Sequence, residues 1–275
     1  MASREKYRQK WLKYHSTYEK RSFNEFYKIF KKWNKDIQSI EFSKDTILSQ
    51  ISLNTDTRLL EIAYFNVYNE IGKKHGKRIG KFINEGLKFF RLEDFLIFFK
   101  EQLPLFMAEF GLNRIQQIKT SYINDIFELF NKRLLAGYTL DETTEEVFKI
   151  MKGRDFYRWQ AERIARTETT GAANYSALMA GKQTGFVMVK EWISATDARV
   201  RRIPKDKFDH FEMNGKTAEL NDNFIFNLGL PNTDFLLYPG DPKGRAGNTI
   251  NCRCTVAIVP KKDKNGNLIR SIQNV

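Results

Sequence analysis

The residues best suited to chemistry lie late in the chain. Cys252 and Cys254 are two apart, and on a strand that spacing turns both thiols to one side. With His210 they offer three soft or borderline ligands of the kind zinc takes, and Asp197 is a candidate fourth. A C-x-C pair without a second pair fits equally well two small thiols packed against a sheet, so a structural zinc site and simple burial both stay open. These are the only cysteines of the chain. They are too few for a disulfide framework and too close for an easy mutual bridge on an extended strand, so a reducing compartment fits.

Other candidates are weaker. Arg166, Thr167, Glu168 and Asn174 fall on one strong helical segment, where an Arg or Glu turned inward needs a charged or hydrogen-bonding partner, so a buried ionic hub is expected there. Trp192 closes a β-favouring run, and Asp197 in Thr196-Asp197-Ala198-Arg199 can hold a turn by accepting backbone amides. Arg199 and Arg201 would then share a face of the extended stretch that follows, paired with Glu168 or Asp197. The segment Pro239 to Thr249 is rich in glycine and basic, yet lacks the G-x-x-x-x-G-K-[ST] order and a following helix, so it reads as a surface loop and not as a phosphate cradle.

These residues need elements to hold them. From Tyr7 to Ile40 apolar side chains recur three and four apart, the spacing of an amphipathic helix, and the pattern returns in 59–71, 87–99, 105–135 and 147–164, with breaks at Gly111 and Gly137. Asp94 and Asp141 are the expected helix starts. Gly72, Gly76 and Gly80 form a bare stripe if helical; lysines between them exclude a lipid-facing role, and a weak helix or loop is expected. His15 and His75 sit among lysines and are expected to be solvated. After about Leu178 the pattern changes to short β-favouring pieces, 186–193, 224–226, 235–238 and 255–259, separated by Gly, Pro, Asn and Asp. The fold class is therefore α+β, a helical first half followed by a smaller mixed domain with a short sheet. The expected division is a helical basic region over 1–140, a mixed domain over 141–260 and a tail over 261–275 that turns at Asn265-Gly266.

The 275 residues are 41% hydrophobic, enough for a core, and no apolar run approaches the roughly 18 to 20 residues of a membrane span. The basic start leads into a charged helix and not into a secretory signal, which makes a cytoplasm the expected first location. Net charge is +13, and the first 35 residues carry eleven Lys or Arg against three Glu, a local excess of +8. A basic helix of this kind can track a phosphate backbone through Arg4, Lys6, Arg8, Lys10 and Lys13, or simply solvate the surface. No base-reading motif accompanies it, so the expected partner is double-stranded DNA without sequence preference.

Several segments in fixed order carry a resemblance: Arg166-Thr167-Glu168-Thr169 with Asn174; Lys190-Glu191-Trp192; Thr196-Asp197-Ala198-Arg199-Val200-Arg201; His210 with Asn214-Gly215; Pro239-Gly240-Asp241-Pro242; and Asn251-Cys252-Arg253-Cys254. In this order the stretch from about Ala165 to Pro260 resembles the phage Mu protein F-like minor head proteins. One departure is the inserted 203–209, which lengthens the link between the Arg-rich turn and His210. The resemblance implies a non-enzymatic minor capsid protein that enters the procapsid in the host cytoplasm. It also implies a place near the portal inside the shell, with portal and scaffold or capsid proteins as partners, and passage with DNA at ejection. The alternative is an enzyme of nuclease or ADP-ribosyltransferase-like type delivered with the virion, in which Arg166, Glu168 and His210 would form the acid/base and anion-binding group.

Overall fold

In the computed structural model the described residues are 4–87 and 90–271; the first three residues, 88–89 and the last four residues of the expected tail lie outside them. Seven helices come first: α1 (Arg4–Ile37), α2 (Ile47–Leu53), α3 (Thr57–Leu87), α4 (Leu92–Phe106), α5 (Leu112–Leu135), α6 (Leu140–Lys152) and α7 (Arg154–Lys182). They are followed by β1 (Met188–Ile193), β2 (Thr217–Glu219), β3 (Phe224–Phe226), β4 (Asp234–Leu236), the one-turn α8 (Ala246–Thr249) and β5 (Thr255–Pro260). The fold is α+β. One antiparallel sheet has the order β2-β1-β5, with β1 and β5 paired from Met188 opposite Pro260 to Ile193 opposite Thr255. A separate hairpin pairs β3 with β4.

The helix α7 organises the rest. Every residue from Thr167 to Lys182 except the last is buried or nearly so, and many are small: Gly171, Ala172, Ala173, Ser176, Ala177, Ala180. A helix buried all round has no solvent-facing side, so its polar residues must find partners within the protein, and small side chains let neighbouring backbones approach. Against it lie α1, α3 and β5. The apolar side of α1 (Tyr7, Trp11, Tyr18, Phe26, Phe30, Trp33, Ile37) joins a core that runs without interruption from α1 to β5, across the expected division at 140/141. That division coincides with the start of α6, where Thr139 and Glu142 form a reciprocal cap: the Glu142 N–H donates to Thr139 Oγ1 at 3.3 Å, and the Thr139 N–H to Glu142 Oε2 at 2.9 Å. The cap is Thr139 and not Asp141, which sits in the first turn.

Three local expectations are corrected. Gly72, Gly76 and Gly80 belong to an unbroken α3, and their missing side chains are filled by rings of Phe99, Phe95 and Phe90; a Cβ on each glycine would stand 2.1, 2.0 and 2.0 Å from the nearest ring carbon. Phenylalanine burial offsets the propensity cost of glycine in the helix. Gly111 does not break the chain either, because a π-helical turn over Met107–Gly111 carries α4 into α5. His15 and His75 are 2% and 3% exposed, packed beside Trp11, and not solvated.

Candidate functional site

Two motifs that lie about eighty residues apart in sequence run side by side in space. Along α7, Thr167, Thr170 and Asn174 face the segment 251–256. Thr167 Oγ1 accepts from the Asn251 N–H at 3.0 Å, and Thr170 Oγ1 donates to the Cys252 carbonyl at 2.5 Å. Asn174 is fully buried and fully used. Its amide donates to the carbonyls of Pro239 (2.9 Å) and Cys254 (3.1 Å), and its Oδ1 accepts from Thr255 Oγ1 (2.9 Å) and the Val256 N–H (3.0 Å). One carboxamide thus ties a helix, a loop and a strand together. The loop was expected at the surface. Lys243, Arg245, Ala246 and Gly247 are exposed as expected, but Pro239, Gly240 and Asp241 are buried, with Gly240 so close to Gly171 that a Cβ on it would stand 2.9 Å from the Gly171 nitrogen. A helix does follow the loop, α8, but it is a single turn.

On the far side of this segment, Cys252 and Cys254 turn toward His210. The imidazole Nδ1 lies 3.5 Å from Cys252 Sγ and 3.6 Å from Cys254 Sγ, and all three residues are 2% exposed or less. Two elements hold the histidine. Its N–H donates to the Arg201 carbonyl at 3.1 Å, closing the inserted 203–209 into a loop that leaves and returns at one neck, and its carbonyl accepts from Ser194 Oγ. The ring is fixed at the other end by Asn248 Oδ1, 2.6 Å from Nε2, and Asn248 in turn donates to Asp234 Oδ2 at 2.9 Å. Trp192 and Phe226 pack on the ring with centroids 5.4 and 5.3 Å away. Burial pushes the Cys252 thiol up. Burial acts the same way on Cys254, but hydrogen bonds from Cys252 and His210 outweigh it and hold that thiol well below its ordinary value.

Asp197 does not join this cluster. It turns to Arg253, with Oδ1 2.5 Å from Nη2, and holds the turn by accepting the Arg199 N–H at 3.0 Å. Arg199 and Arg201 do not share a face, because no strand follows Asp197. Arg199 stays exposed beside Asp197 at 3.7 Å, while Arg201 caps the carbonyls of Asn248 and Ile250 and pairs with Asp206 at 3.3 Å. Arg166, Asp197, Arg199 and Arg253 instead line one cleft of about 570 Å³ with His15 and Glu19 of α1. Arg166 donates to Glu19 at 2.8 Å and to Asn251 Oδ1 at 3.2 Å. His15 bonds Thr170 Oγ1 at 2.9 Å; its burial, then Arg253 and Arg166, lower its pKa to about 3, so it is neutral at pH 7.

The expected ionic hub forms around Glu168, with partners outside the recognised motifs. Arg114 Nε donates to Glu168 Oε1 at 2.9 Å, and the phenols of Tyr64 and Tyr68 donate to Oε2 at 2.8 and 3.1 Å. Burial and the carboxylate hold both phenols well above their ordinary range, and the same carboxylate raises Arg114. Arg166, Glu168 and His210 share no partner among the described residues, so they do not assemble into one acid/base group. Asn248, Asp234, Arg114, Tyr64 and Tyr68 were missed in sequence. Only Asn248, three residues before the Asn251-Cys252-Arg253-Cys254 motif, stands near a signal.

On α1, Lys6, Lys10 and Lys13 are exposed, while Arg4 reaches Glu191 and Arg8 pairs with Glu5. The face opposite them is fixed in the core: Tyr7 donates to the Val256 carbonyl at 2.9 Å and Trp11 to that of Arg253 at 2.7 Å. No helix among the described residues is long and apolar enough to cross a membrane.

Residues 128–257 match the family model described as phage Mu protein F like protein, a span that takes in α7, β1 to β4, the first half of β5 and every motif residue from Arg166 to Cys254. No curated protein and no solved structure matches the chain. Over 128–257 the chain is similar to the phage Mu protein F-like proteins, and that family points to phage head morphogenesis.

Proposed function

We propose that this chain is a minor head protein, built into the procapsid near the portal in the host cytoplasm and retained inside the capsid, where it lies against packaged double-stranded DNA and accompanies its ejection. The family match over 128–257 carries this reading. The outward face of α1 supports the DNA part, since Lys6, Lys10, Lys13 and Lys20 project from a helix whose other side is anchored to β5 and α7. A rigid row of cations meets phosphates without reading bases, and each contact lowers the slope of log affinity against log salt by roughly 0.9. The portal and scaffold or capsid proteins are the protein partners of this reading, and the motif residues hold the fold to which they dock.

Two measurements test it. Mass spectrometry of purified procapsids and of particles lacking the portal should find the chain in the first and strongly reduced in the second; equal amounts in both would remove the portal from the reading. Replacing Lys6, Lys10 and Lys13 by Gln should flatten the salt dependence of duplex binding by roughly 2 to 3 units while incorporation persists. An unchanged slope would reduce the row to a solvated face.

A further inference from the structure

The stretch from Ser194 to Cys254 is the least regular part of the described chain. It holds three strands of three residues each and a single helical turn, so few backbone ladders fix it. Its parts nevertheless meet at one point: Ser194, at its start, donates to the His210 carbonyl, and the His210 ring faces Cys252 and Cys254 at its end. We infer that Cys252 Sγ, Cys254 Sγ and His210 Nδ1 bind one zinc ion, which clamps the 203–210 loop to the entry of β5.

The distances carry the argument. Zinc holds thiolate sulfur at about 2.3 Å and imidazole nitrogen at about 2.0 to 2.1 Å in a tetrahedral field, which puts nitrogen and sulfur about 3.6 Å apart. The two separations here are 3.5 and 3.6 Å, and all three ligand atoms lie within 4.8 Å of one another. The imidazole is also set up for a metal on Nδ1. Asn248 Oδ1 accepts at Nε2, which places the ring proton there and turns the Nδ1 lone pair to the sulfurs; Asn248 is itself fixed by Asp234. Outer residues of this kind orient ligating histidines in metal centres generally. Bare thiols would use the geometry poorly, because one lone pair on Nδ1 can accept only one S–H. Zinc's fourth ligand comes from outside these three, since no other His, Cys, Asp or Glu among the described residues joins the cluster. A water molecule would complete the tetrahedron, and the buried indole N–H of Trp192, beside His210, is a donor without a partner.

The test uses the full chain, purified without an affinity tag and without added metal. Elemental analysis and native mass spectrometry should find close to one zinc per chain. Chelation should lower Tm by about 5 °C or more, because metal binding and folding are linked. Cys252→Ser and His210→Gln should lose the metal, and Asp197→Asn should keep it. Should the ligand variants not fold, cobalt exchanged into the wild-type chain still decides: intense visible bands and a sulfur charge-transfer band are expected for a tetrahedral site with two thiolates. A metal-free chain that takes up no cobalt, copper in place of zinc, or a Cys252–Cys254 disulfide in freshly purified protein would each overturn the assignment.

Discussion

Substituting Gly76 by Ala tests how α3 and α4 are joined. Alanine is the better helix former by about 1 kcal/mol, so on a helix surface this change stabilises. Here the new Cβ would stand 2.0 Å from Phe95 Cζ, where an ordinary carbon contact begins near 3.5 Å. The ring must therefore retreat by roughly 1.5 Å. It has nowhere to go: Phe95 is fully buried, with Phe90 and Phe99 centroids 5.6 and 5.5 Å away. Overpacking of this kind costs about 1 to 3 kcal/mol, which matches or exceeds the propensity gain. The clean quantity is the coupling in a double-mutant cycle. Phe95→Ala alone should cost about 3 to 5 kcal/mol. In that background the clash is gone, and Gly76→Ala should stabilise by about 1 kcal/mol. The coupling, measured by urea unfolding of the four proteins, should then be about 1 to 3 kcal/mol. If Gly76→Ala stabilises the wild type as much as it does the Phe95→Ala variant, the close approach of the two helices is wrong.

Two further outcomes follow from buried polar groups. His15 and His75 both have pKa values lowered to about 3, His75 by burial alone, against 6.5 when unfolded. Because the folded values lie below the unfolded one, stability is complete above about pH 6.5 and is lost as pH falls toward 3; at pH 5 each histidine should cost roughly 2 kcal/mol. Urea midpoints measured from pH 7.5 to 4.5 should fall accordingly, and a flat profile would mean that these rings reach solvent. Replacing Asn174 by Leu strands two carbonyls, a hydroxyl and the Val256 amide, at about 1 to 3 kcal/mol for each group left without a partner. Hydrogen exchange should show the Val256 amide losing protection before the amides of α3, and uniform loss across both would contradict its role as a local tie.

Periodicity revealed the helices because amphipathic faces leave a trace in sequence: Tyr7, Trp11, Tyr18 and Phe26 mark α1 whether or not its partner is known. The same logic failed on α3, where Gly72, Gly76 and Gly80 look like weakness until the Phe90, Phe95 and Phe99 rings are in place, since complementarity between two surfaces is a property of neither alone. The grouping of Cys252, Cys254 and His210 was legible from residue type. Their relation to Asn248 was not, because a second ring of contacts depends on the course of the loop. Asp197 illustrates the limit: its composition allows a metal ligand, and only the position of Arg253 decides that it is a salt-bridge partner. The β2 strand gave no signal, as three residues are too few to show alternation.

The anchoring of α1 sets the order in which the chain can be completed during its synthesis. Tyr7 and Trp11 bond to the carbonyls of Val256 and Arg253, partners translated some 240 residues later. At about 5 to 20 residues per second, the ribosome delivers β5 roughly 12 to 50 seconds after α1. Throughout that interval Tyr7 and Trp11 lack the carbonyls they bond, although α3 and α7, on which α1 also packs, are already made. The seat of the first helix is therefore completed only when β5 arrives, which makes that strand the closing piece of the fold.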